Sequence, residues 1–256
     1  ITNHYIKSLE SKVAFKKKII NENYFFNFFK IQNKPIKMGL NFIRSQFIEN
    51  YHELNHLMYL GKIDGFENIE QVHASDIFPR TMLNDCMISV SRKLNINISH
   101  FLNCECSYIM SKMNTDLIGG WSYFPSVKEI APDIDDLGQI MKLFLDSEKI
   151  ELIDIHCKTP IEITMSDRCN PQGGIETWII PLYNQTKIQK KQEYFNITRW
   201  GKGPDVEVVA NFIYALSCYN HEFYKEQIDK SVNYIINEQN EEGFWRSTWN
   251  YGDYYG

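Results

Sequence analysis

Three stretches of the chain share one arrangement of polar and apolar positions. Asp76-Ile-Phe-Pro-Arg-Thr-Met-Leu-Asn-Asp-Cys-Met-Ile, Asp133-Ile-Asp-Asp-Leu-Gly-Gln-Ile-Met-Lys-Leu-Phe-Leu and Asp205-Val-Glu-Val-Val-Ala-Asn-Phe-Ile-Tyr-Ala-Leu-Ser can be laid over one another. Each opens on an Asp preceded by a small residue or proline, which is the composition of a helix N-cap. Each then runs apolar on nearly every face, which predicts a helix enclosed by others. Between these segments the apolar positions form single stripes. Ile228, Val232, Ile235 and Ile236 mark one side of Gln227–Glu238; Ile98, Phe101, Leu102, Tyr108 and Ile109 mark another, and Leu40, Ile43, Phe47 and Ile48 a third. Half-buried helices alternating with fully buried ones predict an all-α chain, an α/α toroid of repeated helical hairpins forming a partial or complete (α/α)6-type barrel. No convincing run of period-two strands is visible. Residues 183–204, rich in Gln, Lys and Asn, read as a polar insertion before the third buried helix. The pattern divides the chain into an N-terminal helical extension, 1–35, and a toroid domain, 36–256.

The middle repeat departs from its companions in charge. Asp133, Asp135 and Asp136 fall together as D-x-D-D at a helix start. One or two acids there are stabilised by about 0.3–1 kcal/mol each through the helix dipole. Three repel one another, so capping alone does not account for them. In the other repeats Phe78 and Glu207 occupy the place of Asp135, and that asymmetry points to a function at one repeat. Burial and mutual repulsion raise carboxyl pKa values while a helix N-terminus lowers them, so such a cluster can hold one acid protonated beside an ionised one.

Composition narrows the functional classes. With 256 residues and 43% hydrophobic content the chain can bury a sizeable core, and its net charge of −5 gives no sign of nucleic-acid binding. Lys16-Lys17-Lys18 reads as a solvated helix face. No apolar stretch approaches the length of a membrane span. Cys104 and Cys106 point apart on a helix, and no second ligand pair has zinc spacing. Cys86 and Cys218 lie within the apolar repeats and read as small buried residues. Aromatics make up 14% of the chain, with Trp121, Tyr123, Phe124, Trp178, Trp200 and Tyr214 near the repeat turns. These are candidates to line a substrate cavity.

Tyr234-Ile235-x-x-x-Gln239-x-x-x-Gly243-x-Trp245 resembles the QW repeat of the squalene-hopene cyclase and oxidosqualene cyclase superfamily. Tyr108-Ile109-x-x-x-Met113 followed by Gly119-Gly120-Trp121 is similar, with Met in place of Gln, and Gln172–Trp178 is a looser third copy. Together with D-x-D-D, these turns make roughly residues 36–256 resemble the class II terpene cyclases. That resemblance implies protonation of an isoprenoid alkene by Asp135, tuned by Asp133 and Asp136, to start a carbocation cyclisation. It implies no cofactor, with Mg²⁺ entering only if the substrate is a prenyl diphosphate. For such a headgroup Arg80, Lys128, Arg168 and Arg199 are the available cations. It further implies an apolar isoprenoid partner, a cytoplasmic protein with loose contact at a membrane, and no nucleic acid. Leu137-Gly138 stands where these cyclases carry Thr-Ala, and His100 and His156 are the only histidines nominated to assist Asp135. Full-length cyclases place the cavity between two barrels, so the chain is expected to be one domain completed by a second domain or subunit, or else a small toroid. Protein prenyltransferase β subunits share the toroid, but the expected zinc-ligand Cys is absent. Polysaccharide lyases and hydrolases share paired carboxylates without QW turns. The main alternative is a non-catalytic toroid that binds or scaffolds without the chemistry.

Overall fold

A computed structural model describes residues 32–61, 71–114, 118–247 and 249. The lysine run at 16–18 and most of the 1–35 extension lie outside them. Helix α1, Lys34–Ile48, starts where Asn33 accepts the Ile36 amide at 3.2 Å with Pro35 in the first turn, and it buries Leu40 and Phe47. Asn50 and Tyr51 then take left-handed conformations, and the chain enters an antiparallel hairpin of β1, His56–Leu60, and β2, Gln71–Ser75. His56 pairs with Ser75 and Leu60 with Gln71. This hairpin corrects the expectation of no strands. Its five-residue strands are too short for a period-two signal to stand out, and their outer faces carry exposed Leu57, Tyr59 and Val72, which blur the alternation.

The remaining described elements are helical: α2, Ile77–Leu94; α3, Ser99–Met110; α4, Ile134–Asp146; α5, Ile150–His156; α6, Lys158–Asp167; α7, Lys187–Trp200; and α8, Val206–Glu238. The three repeats start α2, α4 and α8, as their sequence predicts. α4 is central, packing against α2 on one side and α8 on the other, with α3 and α5 also against it. Nine of its residues are buried, among them Leu137, Ile140, Met141 and Phe144. α8 is broken at Asn220 (φ −157°, ψ 78°). There Asn220 Oδ1 accepts the Phe223 amide at 3.2 Å and begins the second, amphipathic half.

Two places correct the sequence reading. The polar segment 183–204 contains helix α7, started by a capping box between Thr186 and Gln189. Its buried polar side chains do structural work: Gln192 donates to the Lys128 carbonyl at 2.8 Å and Asn196 to that of Glu129 at 3.1 Å. The helix is therefore pinned by hydrogen bonds, which leave no hydrophobic periodicity to read. Cys86 and Cys218 are exposed, on the outer faces of α2 and α8. Both helices have a solvent side that the apolar count concealed.

Two turns repeat one hydrogen bond. The Trp121 indole donates to the carbonyl of Ile109 at 2.8 Å, and the Trp245 indole to that of Ile235 at 2.7 Å. In each case a Trp beyond a glycine turn donates to a carbonyl in the last turn of the preceding helix. Gly119 and Gly120 both have positive φ (81° and 77°), a conformation favouring glycine, and a Cβ on Gly120 would meet Pro132 at 3.0 Å.

Candidate active site

The acid cluster is built by the start of α4. Asp133 is the N-cap, and its carboxylate accepts the Asp136 amide at 2.8 Å. The segment 175–180 runs beside it as a short extended stretch: Ile134 donates to the Thr177 carbonyl at 2.9 Å and Ile179 to that of Pro132 at 2.8 Å. This pairing carries Trp178 to the cluster. Below lies a small apolar core, separate from the main one, formed by Leu60, Phe124, Val127, Ile130, Ala131, Trp178 and Ile180.

These elements enclose a cavity of about 180 Å³ with Asp133, Asp135 and Asp136 on its wall. Tyr123, Phe124, Trp178 and Trp200 line it, so four of the six aromatics nominated from sequence come together. Trp178 and Trp200 lie 5.6 Å apart between ring centroids, and Trp249 meets Trp178 edge-on at 5.7 Å. The other two nominees lie elsewhere. Trp121 is fully buried in the main core against Phe144, its indole committed to Ile109. Tyr214 is exposed on α8, with the Lys142 ammonium 5.0 Å from its ring. Proximity to a repeat turn does not fix which side of the turn a ring occupies.

Residues from all three repeats lie at or near this cavity. Phe78 and Val208 line it with Asp135, and Glu207 is close enough to act electrostatically on Asp135. The Asp that opens each repeat has a partner, Asp133 in the Asp136 amide. Asp76 is matched by Arg80 at 2.8 Å and by the Tyr108 hydroxyl at 2.7 Å. Asp205 accepts Thr177 at 3.0 Å and the Trp249 indole at 2.8 Å. In the middle repeat the adjacent Asp136 is 1% exposed, and neither of its carboxylate oxygens has a hydrogen-bond partner. A buried carboxylate left so is costly, and it escapes the cost by remaining protonated.

The electrostatics follow from these surroundings. Burial pushes Asp133 up to about 8, with Asp135 adding repulsion and backbone amides, that of Tyr123 included, pulling it back. Burial likewise lifts Asp135 to about 7; the Asn211 amide holds it down while Glu207 and Asp205 push it up. Asp136 lies well above the usual carboxylate range through burial and its two acidic neighbours. Asn211 donates to Asp135 Oδ1 at 2.6 Å and to the Asp135 carbonyl at 3.1 Å, and is itself oriented by Gln139 at 3.0 Å. The contact depends on Gly138, where a Cβ would meet Phe212 Cα at 3.1 Å and the Asn211 carbonyl at 3.3 Å. Gly138, a departure from the cyclase pattern, is thus what lets α4 approach α8 closely enough for Asn211 to reach the acid.

Several site residues are not legible in the sequence. His56 and Met58 enter from β1, and Trp249 from beyond α8. The histidine beside the cluster is His56, its Nδ1 3.0 Å from the Tyr123 hydroxyl, while neither His100 nor His156 lines the cavity. Of the cations nominated for a diphosphate, Arg80 is held by Asp76 and Glu105 between the Tyr51 and Tyr108 rings, and Arg168 by Glu176 and Glu193. No Lys or Arg lines the cavity among the described residues. Among those residues, too, no group of three or more His, Cys, Asp or Glu is arranged to hold a metal ion, and no helix is long and apolar enough to cross a membrane. No protein-family model and no curated protein matches the chain.

Proposed function

We propose that the chain is a class II-type terpene cyclase, or one domain of one, that protonates an isoprenoid alkene at this cavity to start carbocation cyclisation. The observation that carries the reading is the contrast among the three repeats. All three opening acids are satisfied by partners, but the middle repeat adds a buried carboxyl, Asp136, without any, in a cavity lined by aromatic rings. A group kept protonated against a dry apolar wall is what alkene protonation requires.

Asp135 is the donor in this account. An acid that gives up a proton must survive as a carboxylate, and Asp135 alone of the three has a side-chain amide donor ready, Asn211 on Oδ1, which leaves Oδ2 to carry the proton. Asp136 lacks any such donor and stays neutral. The π pair of the alkene takes the Asp135 proton as a new C–H bond. The cation so formed adds the remaining double bonds in turn under the faces of Trp178, Trp200 and Phe124. Loss of a proton to water ends the sequence, so the net reaction is an isomerisation.

A volume of about 180 Å³ is below the roughly 300–1,000 Å³ of ordinary ligand pockets. The cavity therefore takes the reacting end of an isoprenoid, with the rest covered by a second domain or subunit. Its apolar lining, without Lys or Arg among the described residues, favours an uncharged polyene over a prenyl diphosphate, and with it a reaction needing no Mg²⁺. The shared Trp-to-carbonyl bonds and the side-by-side α2, α4 and α8 support an α/α toroid with these as inner helices. A binding module without chemistry is the second reading, favoured by the exposed His56 at the cavity rim. Incubation with squalene, farnesyl diphosphate or geranylgeranyl diphosphate, followed by gas chromatography–mass spectrometry, separates the two. Cyclisation gives a cyclic product with the polyene that falls by at least about 10²-fold in Asp135→Asn. A folded wild type that gives no product with any of the three supports the module.

A further inference from the structure

Asp205 stands at the N-cap of α8, yet its side chain makes no capping bond to that helix, unlike Asp133 on α4. Capping by an Asp stabilises a helix start, so its diversion calls for a reason. Its Oδ2 instead accepts the Thr177 hydroxyl at 3.0 Å and the Trp249 indole N–H at 2.8 Å. Thr177 is the chain neighbour of Trp178, and the Trp178 and Trp249 rings meet edge-on with centroids 5.7 Å apart. One carboxylate oxygen thus ties Trp249 to the segment that carries Trp178, and both indoles line the cavity. Glu207 adds a second fastening: its Oε1 accepts the Ser247 hydroxyl at 2.8 Å and the Trp249 amide at 3.4 Å. The acids of the third repeat therefore hold Trp249 by ring and by backbone. Trp249 lines the cavity and is also 36% exposed, so its ring separates the interior from solvent on that side.

We infer that Trp249 sets the size of the group this cavity admits, and that Asp205 acts through it as a positioning residue. A dry apolar cavity of about 150 Å³ holds one benzene. The 180 Å³ or so found here therefore takes one isoprene unit or one aromatic ring, and not two fused rings. The other walls belong to packed structure: Phe124, Ile130 and Trp178 form part of the smaller core, with Trp200 against it. Trp249 is fastened mainly by hydrogen bonds, from a segment beyond α8. It is the wall that a single truncation opens with least damage to the core.

The inference concerns the cavity of the cyclisation reading, but its test reads occupancy and not turnover, so either can fail without the other. Fluorobenzene and 1-fluoronaphthalene, followed by fluorine NMR, serve as one-ring and two-ring ligands that no proton from Asp135 can cyclise. The wild type is expected to bind fluorobenzene and to favour it over the naphthalene. Trp249→Ala is expected to change the ratio of the two dissociation constants at least about tenfold in favour of the naphthalene. Trp249→Leu, which keeps an apolar side chain, gives the same direction of change if the Ala variant does not fold. Asp205→Ala shifts the ratio the same way, whereas Asp205→Asn, which keeps an oxygen acceptor, stays within about threefold of wild type. The Trp249 indole N–H resonance, assigned by its loss in Trp249→Phe, moves in Asp205→Ala, which a mere loss of helix stability would not cause. An unchanged ratio in the Trp249 variants, or a wild type that binds neither ligand or both alike, overturns the size limit. A wild-type ratio in Asp205→Ala overturns the positioning role. A wild type that binds as expected but makes no cyclic product overturns the cyclisation reading and leaves the size limit standing.

Discussion

At the scale of single residues the site is a balance between acids that are hard to ionise and one amide that eases ionisation. Asp133 has a folded pKa of about 8 against an ordinary value of 3.8, and Asp136 is raised as well. Between those limits the folded chain holds more protons than the unfolded one, so these groups favour folding at acid pH. That contribution is complete below about pH 4 and is lost as the pH climbs through about 8. Asp136→Asn removes the strain of a carboxylate without a partner, and is expected to stabilise the protein at pH 8 by roughly 1–2 kcal/mol while flattening its stability–pH curve. Urea unfolding at pH 5 and pH 8 measures both, and a destabilised variant at pH 8 would contradict the assignment. Asn211 works in the opposite sense. Its amide favours the ionised form of Asp135, so Asn211→Ala raises that pKa further from its value of about 7. Activity needs the proton and is lost as pH rises through the pKa, so the alkaline limb of the rate profile should move upward in the variant, with a lower maximal rate. A limb that moves downward would show that Asn211 does not hold the acid.

At the scale of elements, much was legible because it rests on local chemistry. The Asp-led apolar runs became α2, α4 and α8, since a cap followed by a continuous apolar surface allows little else. What escaped notice relies on partners distant in sequence. The hairpin His56–Leu60 and Gln71–Ser75 holds its place by pairing and by Leu60 in the smaller core. Helix α7 is fixed by glutamine and asparagine bonds to the backbone at 128 and 129. Gly138 shows how such a distant contact hides within a plain helical run. Within α4 an alanine would be favoured by about 1 kcal/mol, yet its Cβ would face the backbone of α8 at 3.1 Å. Gly138→Ala is therefore expected to change stability by no more than about 1 kcal/mol while cutting turnover about tenfold through displacement of Asn211 from Asp135. Thermal unfolding beside a product assay separates the two effects; unchanged turnover would show that the close approach has no bearing on the acid.

At the scale of the whole molecule, the repeats bring their third positions, Phe78, Asp135 and Glu207, toward one end of a helical layer, where the hairpin and the Trp178 segment enclose a cavity. The acids were legible as an excess of charge over what capping needs. The cavity was not, because His56, Met58 and Trp249 come from segments that carry no repeat signal. Among the nominated aromatics, sequence distance from a turn did not distinguish Trp178, in the cavity, from Trp121, in the main core. Cyclisation at this cavity would begin with one chemical event, the transfer of a proton from a carboxyl to carbon. Running the reaction with an uncharged polyene in D₂O and weighing the product tests it directly. One solvent-derived deuterium is expected at the carbon where cyclisation starts, and no labelled product from Asp135→Asn. A cyclic product without deuterium, or one formed equally well by the variant, would contradict it.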